Sequence, residues 1–547
     1  MENGLSVLPR AKLQGLIDEE LIRRLEIILP LFLDSTTELL NVYKRENLAK
    51  IADIFVGEQV LKNEKTRKLV LQHQPPEIID KLLNETGTIT EGESFNLKVD
   101  ALVKRGWIDI DFIKKFVSIL RFSDANIPLV QSVEETEEII ARPLTPFKSL
   151  KEYQMPVYSE ASRRLEIPRN RFIIQMPTGS GKTRVAMEIV TQFLNSSGNG
   201  EKVIWLANSS ELCEQASAAF REIWEHIGIY DVKIYRVWGK KKITQIDENY
   251  RSVVICGFDK LYSMLKSNKS SFDRIKRNAN IVVIDEAHKA IAPTYKETIK
   301  ALLSKNTKVV GLTATPGRSA SIETENLELS EFFFGSIVGI SNGKEDSVIS
   351  LLRKRKVLAE VKYHPLITGR TYSLSNKEQY DIEKMFDFPK GFLSKIGNDD
   401  IRNIEILKRV QEEAQKGKLV LLFACSVNHS KFLSSCLNYI GVKSGHVDGE
   451  VGYGKRRSII NDFRNENLQV LCNYGVLSTG FDVPKIDVVF ITRPTNSVVL
   501  YSQMIGRGLR GPTIGGTELC TIVDVKDNII GYSSEDRVYN YFSEYWE

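Results

Sequence analysis

Apolar and polar positions change rhythm once along this chain. Up to about residue 138 the apolar positions recur at helical spacing: Leu21, Leu25, Ile28 and Phe32 form one stripe, which Pro30 must kink or end, and a second patterned stretch runs over 103–120 with Trp107, Phe112, Ile113, Phe116 and Ile119. From about residue 139 short, β-branched apolar runs alternate with helical stretches, at 172–175, 203–206, 253–255, 281–284 and 309–312. The alternation pauses between about 315 and 415 and returns at 419–423, 470–472, 488–491 and 519–523. Runs of this kind predict parallel sheets covered by helices on both faces. The expected fold is α/β: two parallel-sheet domains in tandem, 139–345 and 346–547, behind a mainly helical accessory domain, 1–138. Two such blocks leave a cleft between them, a natural ligand site. The stretch 363–398 carries no motif and reads as an insertion in the second block.

Composition sharpens the picture in three ways. The net charge of +5 over 547 residues is unevenly spread: 1–138 hold 18 basic and 24 acidic residues, a balance of −6, which leaves +11 for the rest. A basic body with an acidic front fits a polyanion-binding engine with a separate accessory domain, and the front is the part suited to a protein partner. The longest early apolar run, 27–33, is too short to span a bilayer, and Asp18, Glu19, Glu20 and Glu26 ahead of it are wrong for a secretory signal. The six cysteines form no C-x-x-C pair, so reduced thiols in a cytoplasmic protein are expected, without a metal cluster. The acidic run at 134–138, followed by Pro143 and Pro146, reads as a domain edge. No repeat or low-complexity tract is present.

The candidate chemistry begins where the run 172–175 enters Met176-Pro177-Thr178-Gly179-Ser180-Gly181-Lys182-Thr183 and a helical stretch follows. A loop between strand and helix can wrap phosphates with backbone N–H groups, and the helix N-terminus adds positive potential. Lys182 would reach the outer phosphates of a nucleotide and the Thr183 hydroxyl would ligate Mg²⁺. The usual pattern has glycine where this chain has Met176. Farther on, the run 281–284 ends in Asp285-Glu286-Ala287-His288. At the carboxyl edge of a parallel sheet Asp285 would hold Mg²⁺ and Glu286 would orient the attacking water, since a carboxylate committed to metal cannot also serve the water.

At this point the chain resembles the superfamily 2 helicases over roughly 143–525. The phosphate loop is similar to motif I, Asp285–His288 to motif II, and Thr313-Ala314-Thr315-Pro316 to motif III. Asn208-Ser209-Ser210-Glu211-Leu212 is similar to motif Ia, and Cys256–Leu261 occupies the place of motif Ib. In the second block, Leu422–Ser426 resembles motif IV, Leu477-Ser478-Thr479-Gly480-Phe481-Asp482 motif V, and Gln503-Met504-Ile505-Gly506-Arg507-Gly508-Leu509-Arg510 motif VI.

The resemblance implies that Gln154 reads the adenine edge. Pro177, Thr178, Gly179, Ser180, Gly181, Lys182 and Thr183 cradle ATP, with Gly480 and Asp482 facing it from the second block. Gln503, Arg507 and Arg510 are then delivered across the cleft to the γ-phosphate, and Asn208, Ser209, Ser426 and Thr479 touch the polymer. It also implies an ATP-dependent motor using Mg²⁺. The style of motifs III and VI leans toward the DNA repair and restriction-enzyme motors, hence toward DNA over RNA. Two other readings stay open: a nucleic-acid-activated ATPase that signals to a protein without unwinding, and a phosphate-loop kinase or GTPase, against which the second block and motif VI weigh. Trp238-Gly239-Lys240-Lys241-Lys242 reads as a solvated loop before it reads as a polymer contact.

Overall fold

The computed structural model describes residues 4–32, 42–90, 92, 94–123, 126–127, 137–139, 147, 149–239, 241, 243, 245–314, 323–341, 347–385, 387–449, 451–476, 483 and 485–530. Its strands form two sheets. The first contains β1 (Glu137–Ile139), β2 (Arg171–Gln175), β3 (Lys202–Ala207), β4 (Val232–Val237), β5 (Arg251–Gly257), β6 (Ala279–Asp285), β7 (Lys308–Thr313) and β8 (Ile337–Gly339), in the order β1-β4-β5-β3-β6-β7-β2-β8. All neighbours are parallel except β1, which lies antiparallel on β4 with Glu137 opposite Tyr235. The second contains β9 (Glu360–Tyr363), β10 (Leu366–Ser373), β11 (Val420–Phe423), β12 (Ser444–Val447), β13 (Val470–Asn473), β14 (Val488–Ile491) and β15 (Leu519–Ile530). Its order is β10-β15-β14-β11-β13-β12, with β9 on the first half of β15, and every pair is parallel.

The central strands read as unbroken apolar runs because both of their faces are covered. In β3, Val203, Trp205 and Ala207 enter one core while Ile204 and Leu206 enter the other. In β11, Leu421 and Phe423 point to one side, and Val420 and Leu422 to the opposite one. The strands absent from the sequence pattern carry polar residues inside them, such as Lys233 and Arg236 in β4, or lie at sheet edges, as β1, β8 and β10 do.

The amino-terminal helices do not form a body apart. Asp18 caps the helix Glu19–Ile28 by accepting from the Glu20 and Leu21 amides, and a 3₁₀ turn, Leu29–Leu31, takes over at Pro30. The expected single stretch 103–120 is instead two helices, Phe95–Lys104 and Ile110–Ile119, separated at Gly106, whose φ of 72° no L-residue adopts easily. These helices share one continuous core with the second sheet: Leu25, Ile28 and Phe116 belong to the same cluster as Leu407, Phe432 and Leu433. At the seam the Arg24 guanidinium lies 3.9 Å from the Phe432 ring centroid and 2.7 Å from Asp400. Lys50 donates to the Tyr439 carbonyl at 3.1 Å and sits over its ring, and Phe55 stacks at a tilt on Phe432 and Tyr439. The described residues up to Phe122 therefore ride on the carboxy-terminal lobe, not on the lobe that follows them in the chain.

The motif-free stretch after β9 also has a defined place. Helices Asn376–Met385 and Lys390–Gly397 bury Ile382, Phe388, Phe392 and Ile396 against Tyr372, Ile529 and Cys425, at the carboxyl edge of the second sheet. Pro143 and Pro146 lie outside the described residues.

Candidate functional site

At the carboxyl end of β2 the chain turns through Pro177–Gly181 into the helix Lys182–Ser196. Gly179 and Gly181 have φ of 84° and 85°, and a Cβ on Gly181 would stand 2.3 Å from Gln154 Nε2, so glycine is needed there on both counts. Met176 carries no such demand. Its amide donates to the Thr313 carbonyl at 3.2 Å, its side chain is fully buried in the first-lobe core, and its φ is not positive, so a large residue replaces the usual glycine by joining the core. Gln154 braces the loop: its Oε1 accepts from the Lys151 amide at 2.8 Å and its Nε2 donates to the Ser180 carbonyl at 3.0 Å, alongside the Tyr153 hydroxyl at 2.9 Å. Each end of that amide keeps one further hydrogen-bonding capacity.

Asp285 ends β6. Burial first, and the neighbouring Glu286 second, push its carboxyl up to about 6. Glu286 takes a left-handed backbone, φ 52° and ψ 54°, unusual for a non-glycine and typical of a functional turn. Burial raises its carboxyl, but Lys182, His288, Lys289 and Arg507 outweigh that and hold it below its ordinary value. His288, buried, lies with Nδ1 3.3 Å from Glu286 Oε2 and 3.2 Å from Thr313 Oγ1, joining the acidic strand end to the start of the third motif. Thr315 and Pro316 of that motif fall outside the described residues.

From the second lobe, the helix Val498–Ile505 delivers Gln503, Gly506, Arg507 and Arg510. Gly508 allows close approach to the sheet beneath, because a Cβ there would meet Cys520 Sγ at 2.2 Å. Gly506 does the same across the cleft: its Cβ would stand 2.5 Å from Thr178 Cγ2. Gln503 is buried, and its Nε2 has no hydrogen-bond partner among the described residues. One cleft of about 370 Å³ is lined by Gln154, Pro177, Thr178, Gly179, Gly181, Lys182, Thr183, Asp285, Glu286, Arg507 and Arg510. Ser180 is buried beneath it, its hydroxyl donating to the Pro177 carbonyl at 2.7 Å.

Arg184, Gln215 and Ile514 also line this cleft, and nothing in the sequence pattern marks them. Tyr153 and Leu212 line it too, and they stood in the sequence only as members of the segments around Gln154 and Asn208. The donors on hand fit Mg²⁺: Thr183 and Asp285 are hard oxygen ligands at the cleft, and two adjoining carboxylates, that of Asp285 buried, are best balanced by a cation. Among the described residues there is no cluster of three or more histidines, cysteines or acids suited to a metal.

Three of the expected polymer contacts, Asn208, Ser209 and Ser426, stand elsewhere, at the carboxyl edges of the sheets. Asn208 follows β3, and its buried Oδ1 lacks a partner among the described residues. Ser209 caps the helix Ser210–Ile227 by accepting from the Leu212 amide, and Ser426 caps Val427–Tyr439 by accepting from the His429 amide. Thr479, Gly480 and Asp482 lie outside the described residues. Lys241 is buried, 3.0 Å from Glu214 and 3.8 Å from the Trp238 ring centroid, so this lysine is structural and not part of a solvated loop. All six cysteines are buried and unbridged. Among the described residues no helix is long and apolar enough to cross a membrane.

Comparison with known proteins agrees with this geometry. Residues 147–318 match the family model described as Type III restriction enzyme, res subunit, and residues 402–511 match the Helicase conserved C-terminal domain. The chain is 26% identical over 374 residues to IRC3 of Saccharomyces cerevisiae, by name an ATP-dependent helicase, covering 66% of this chain and 49% of that protein. It is 28% identical over 341 residues to a 51.5 kDa protein of a Lactococcus phage, covering 62% of each. The match thus spans less than two thirds of either relative. Among solved structures, S. cerevisiae Dbp5 bound to RNA and ADP BeF3 is similar at 16% identity and a TM-score of 0.45, over 73% of this chain and 92% of that one. With two domain models matched in order, over two parallel-sheet lobes that meet at one phosphate-loop cleft, the chain is similar to the superfamily 2 helicases.

Proposed function

We propose that the protein is a nucleic-acid-dependent ATPase that moves on its polymer, with DNA favoured over RNA, in an intracellular setting. The observation that carries this reading is the meeting of Arg507 and Arg510 from the second lobe with Lys182, Asp285 and Glu286 from the first in one cleft. A guanidinium matches phosphate geometry and offsets charge that develops during γ-phosphoryl transfer. Lys182 and the glycine-rich loop hold the triphosphate, Glu286 accepts hydrogen from and orients the attacking water, and Gln154 links the base to the loop through Ser180. Thr183 and Asp285 would hold Mg²⁺, which supplies charge neutralisation between the outer phosphates. Because groups of both lobes grip one triphosphate, its hydrolysis changes the relation of Asn208 and Ser209 on one lobe to Ser426 on the other.

The preference for DNA rests on the restriction-enzyme family model over the first lobe. The test is ATPase stimulation by single-stranded DNA, duplex DNA, single-stranded RNA and duplex RNA at matched salt. Stimulation by either DNA is expected to exceed that by RNA; a rate indifferent to all four would refute the reading. A second reading, a nucleic-acid-activated switch acting on a protein partner, draws support from the amino-terminal helices packed on the second lobe, where they follow the ATP cycle. Triplex displacement separates the two, since a switch hydrolyses ATP without moving.

A further inference from the structure

The tips of the second sheet hold a charged pair that the ATP site does not use. β14 ends at Ile491 and is followed by Thr492 and Arg493; β11 ends at Phe423 and is followed by Cys425 and Ser426. The two tips are locked together: the Thr492 hydroxyl donates to the Phe423 carbonyl at 2.8 Å, and Cys425 Sγ donates to the Thr492 carbonyl at 3.2 Å. Arg493 therefore stands beside Cys425, the residue before Ser426, which caps the N-terminus of the 13-residue helix Val427–Tyr439. This is the carboxyl edge of an open parallel sheet, the edge at which such folds bind ligands. The ring of Tyr474, just past β13, has its centroid 5.9 Å from the Arg493 guanidinium carbon.

Arg493 is held by the inserted segment. Its Nη2 donates to Asp387 Oδ2 at 2.5 Å, and the two side chains are only 12% and 24% exposed. The pair is incomplete. Arg493 Nε and Asp387 Oδ1 are both buried and have no hydrogen-bond partner among the described residues, although a guanidinium and a carboxylate can satisfy two such bonds side by side. A buried donor left unpaired costs free energy that a better-placed acceptor recovers. Oxygens of a phosphodiester, arriving at this edge beside the helix N-terminus, are such acceptors.

We propose that Arg493 is a backbone-phosphate contact of the second lobe and that Asp387, carried by the insert, is its resident competitor, displaced when the polymer enters. This rests on the nucleic-acid reading above. The motif-free insert then sets how easily the second lobe engages a strand.

The test is binding of the full chain to fluorescent single-stranded and duplex DNA across a salt series, for wild type, Arg493→Gln, Asp387→Asn, the double variant, and Arg493→Lys as a charge-retaining control. Arg493→Gln is expected to weaken binding to all sequences alike and to make the slope of log affinity against log salt shallower by about one. Asp387→Asn is expected to tighten binding, roughly five-fold for the loss of one competing ion pair, and the double variant to behave as Arg493→Gln. Arg493→Lys should keep the wild-type slope. A pair that is only structural would move both single variants in the same direction, and that outcome, or an unchanged slope in Arg493→Gln, overturns the proposal. If wild type binds neither DNA at any salt, the nucleic-acid reading fails as well; if wild type binds and the variants match it, only this inference falls.

Discussion

Glu286 and Asp285 are adjacent, yet their surroundings drive them apart: one is held ionised by Lys182 and its basic neighbours, the other is pushed by burial up to about 6. Glu286→Gln should therefore lower the ATPase rate by about 10²–10⁴-fold while nucleotide binding and the melting temperature persist, since it removes only the group that takes hydrogen from water. An unaltered rate would remove Glu286 from the mechanism. Asp285 gives a pH signature. Its folded value lies above the unfolded one, so the folded chain keeps a proton that the unfolded chain releases; in chelator the fold should lose stability as pH climbs from about 4 to about 6. Mg·ATP needs the ionised form, so its affinity should fall as pH drops through about 6, a trend that fluorescence titration between pH 5 and 8 would reveal. Gly506 offers a third check. A side chain there meets Thr178 across the cleft, so Gly506→Val should depress ATPase activity, read at saturating polymer, with little change in melting temperature.

At the scale of elements, what could be read in advance followed from whether a segment's surroundings are local. The phosphate loop was legible because its glycines, lysine and flanking strand and helix are consecutive, and even the departure at Met176 has a local cause, a side chain turned into the core. The central strands were legible because burial on both faces leaves a continuous apolar run. β4 and β10 were not: Lys233, Arg236 and Arg370 interrupt the pattern and are held by partners remote in sequence or at an exposed edge. Arg370, for instance, pairs with Asp399 at 2.8 Å. The stretch 103–120 ran across the break at Gly106 because that break depends on a backbone sign that composition does not announce. Asn208, Ser209 and Ser426 were found by family motif alone, and the caps that the two serines form would have placed them at helix starts without any reference to a polymer.

For the molecule as a whole, the partner of the amino-terminal stripe was the least legible feature, since an amphipathic helix states that it will be covered and not by what. Its cover turns out to lie far away in sequence, 376 residues between Arg24 and Asp400, on helices Asp400–Gln415 and Val427–Tyr439. Removing a large aromatic from such a seam costs about 3–5 kcal/mol. Phe432→Ala should accordingly lower the melting temperature of the second lobe and the amino-terminal helices together, in one transition by hydrogen exchange, and leave the first-lobe sheet protected. Separate transitions for the two regions would show that the seam does not couple them.

That seam also sets a timetable for synthesis. A ribosome finishes the amino-terminal helices well before it makes the surface they rest on; at about 5–20 residues per second the wait is roughly 15–60 s. Throughout it, Phe55, Lys50 and Arg24 face water or whatever else is near, while the intervening lobe folds on its own. Such a nascent chain is a natural client for a holding chaperone, and slowing translation ahead of residue 442 should lengthen that dependence.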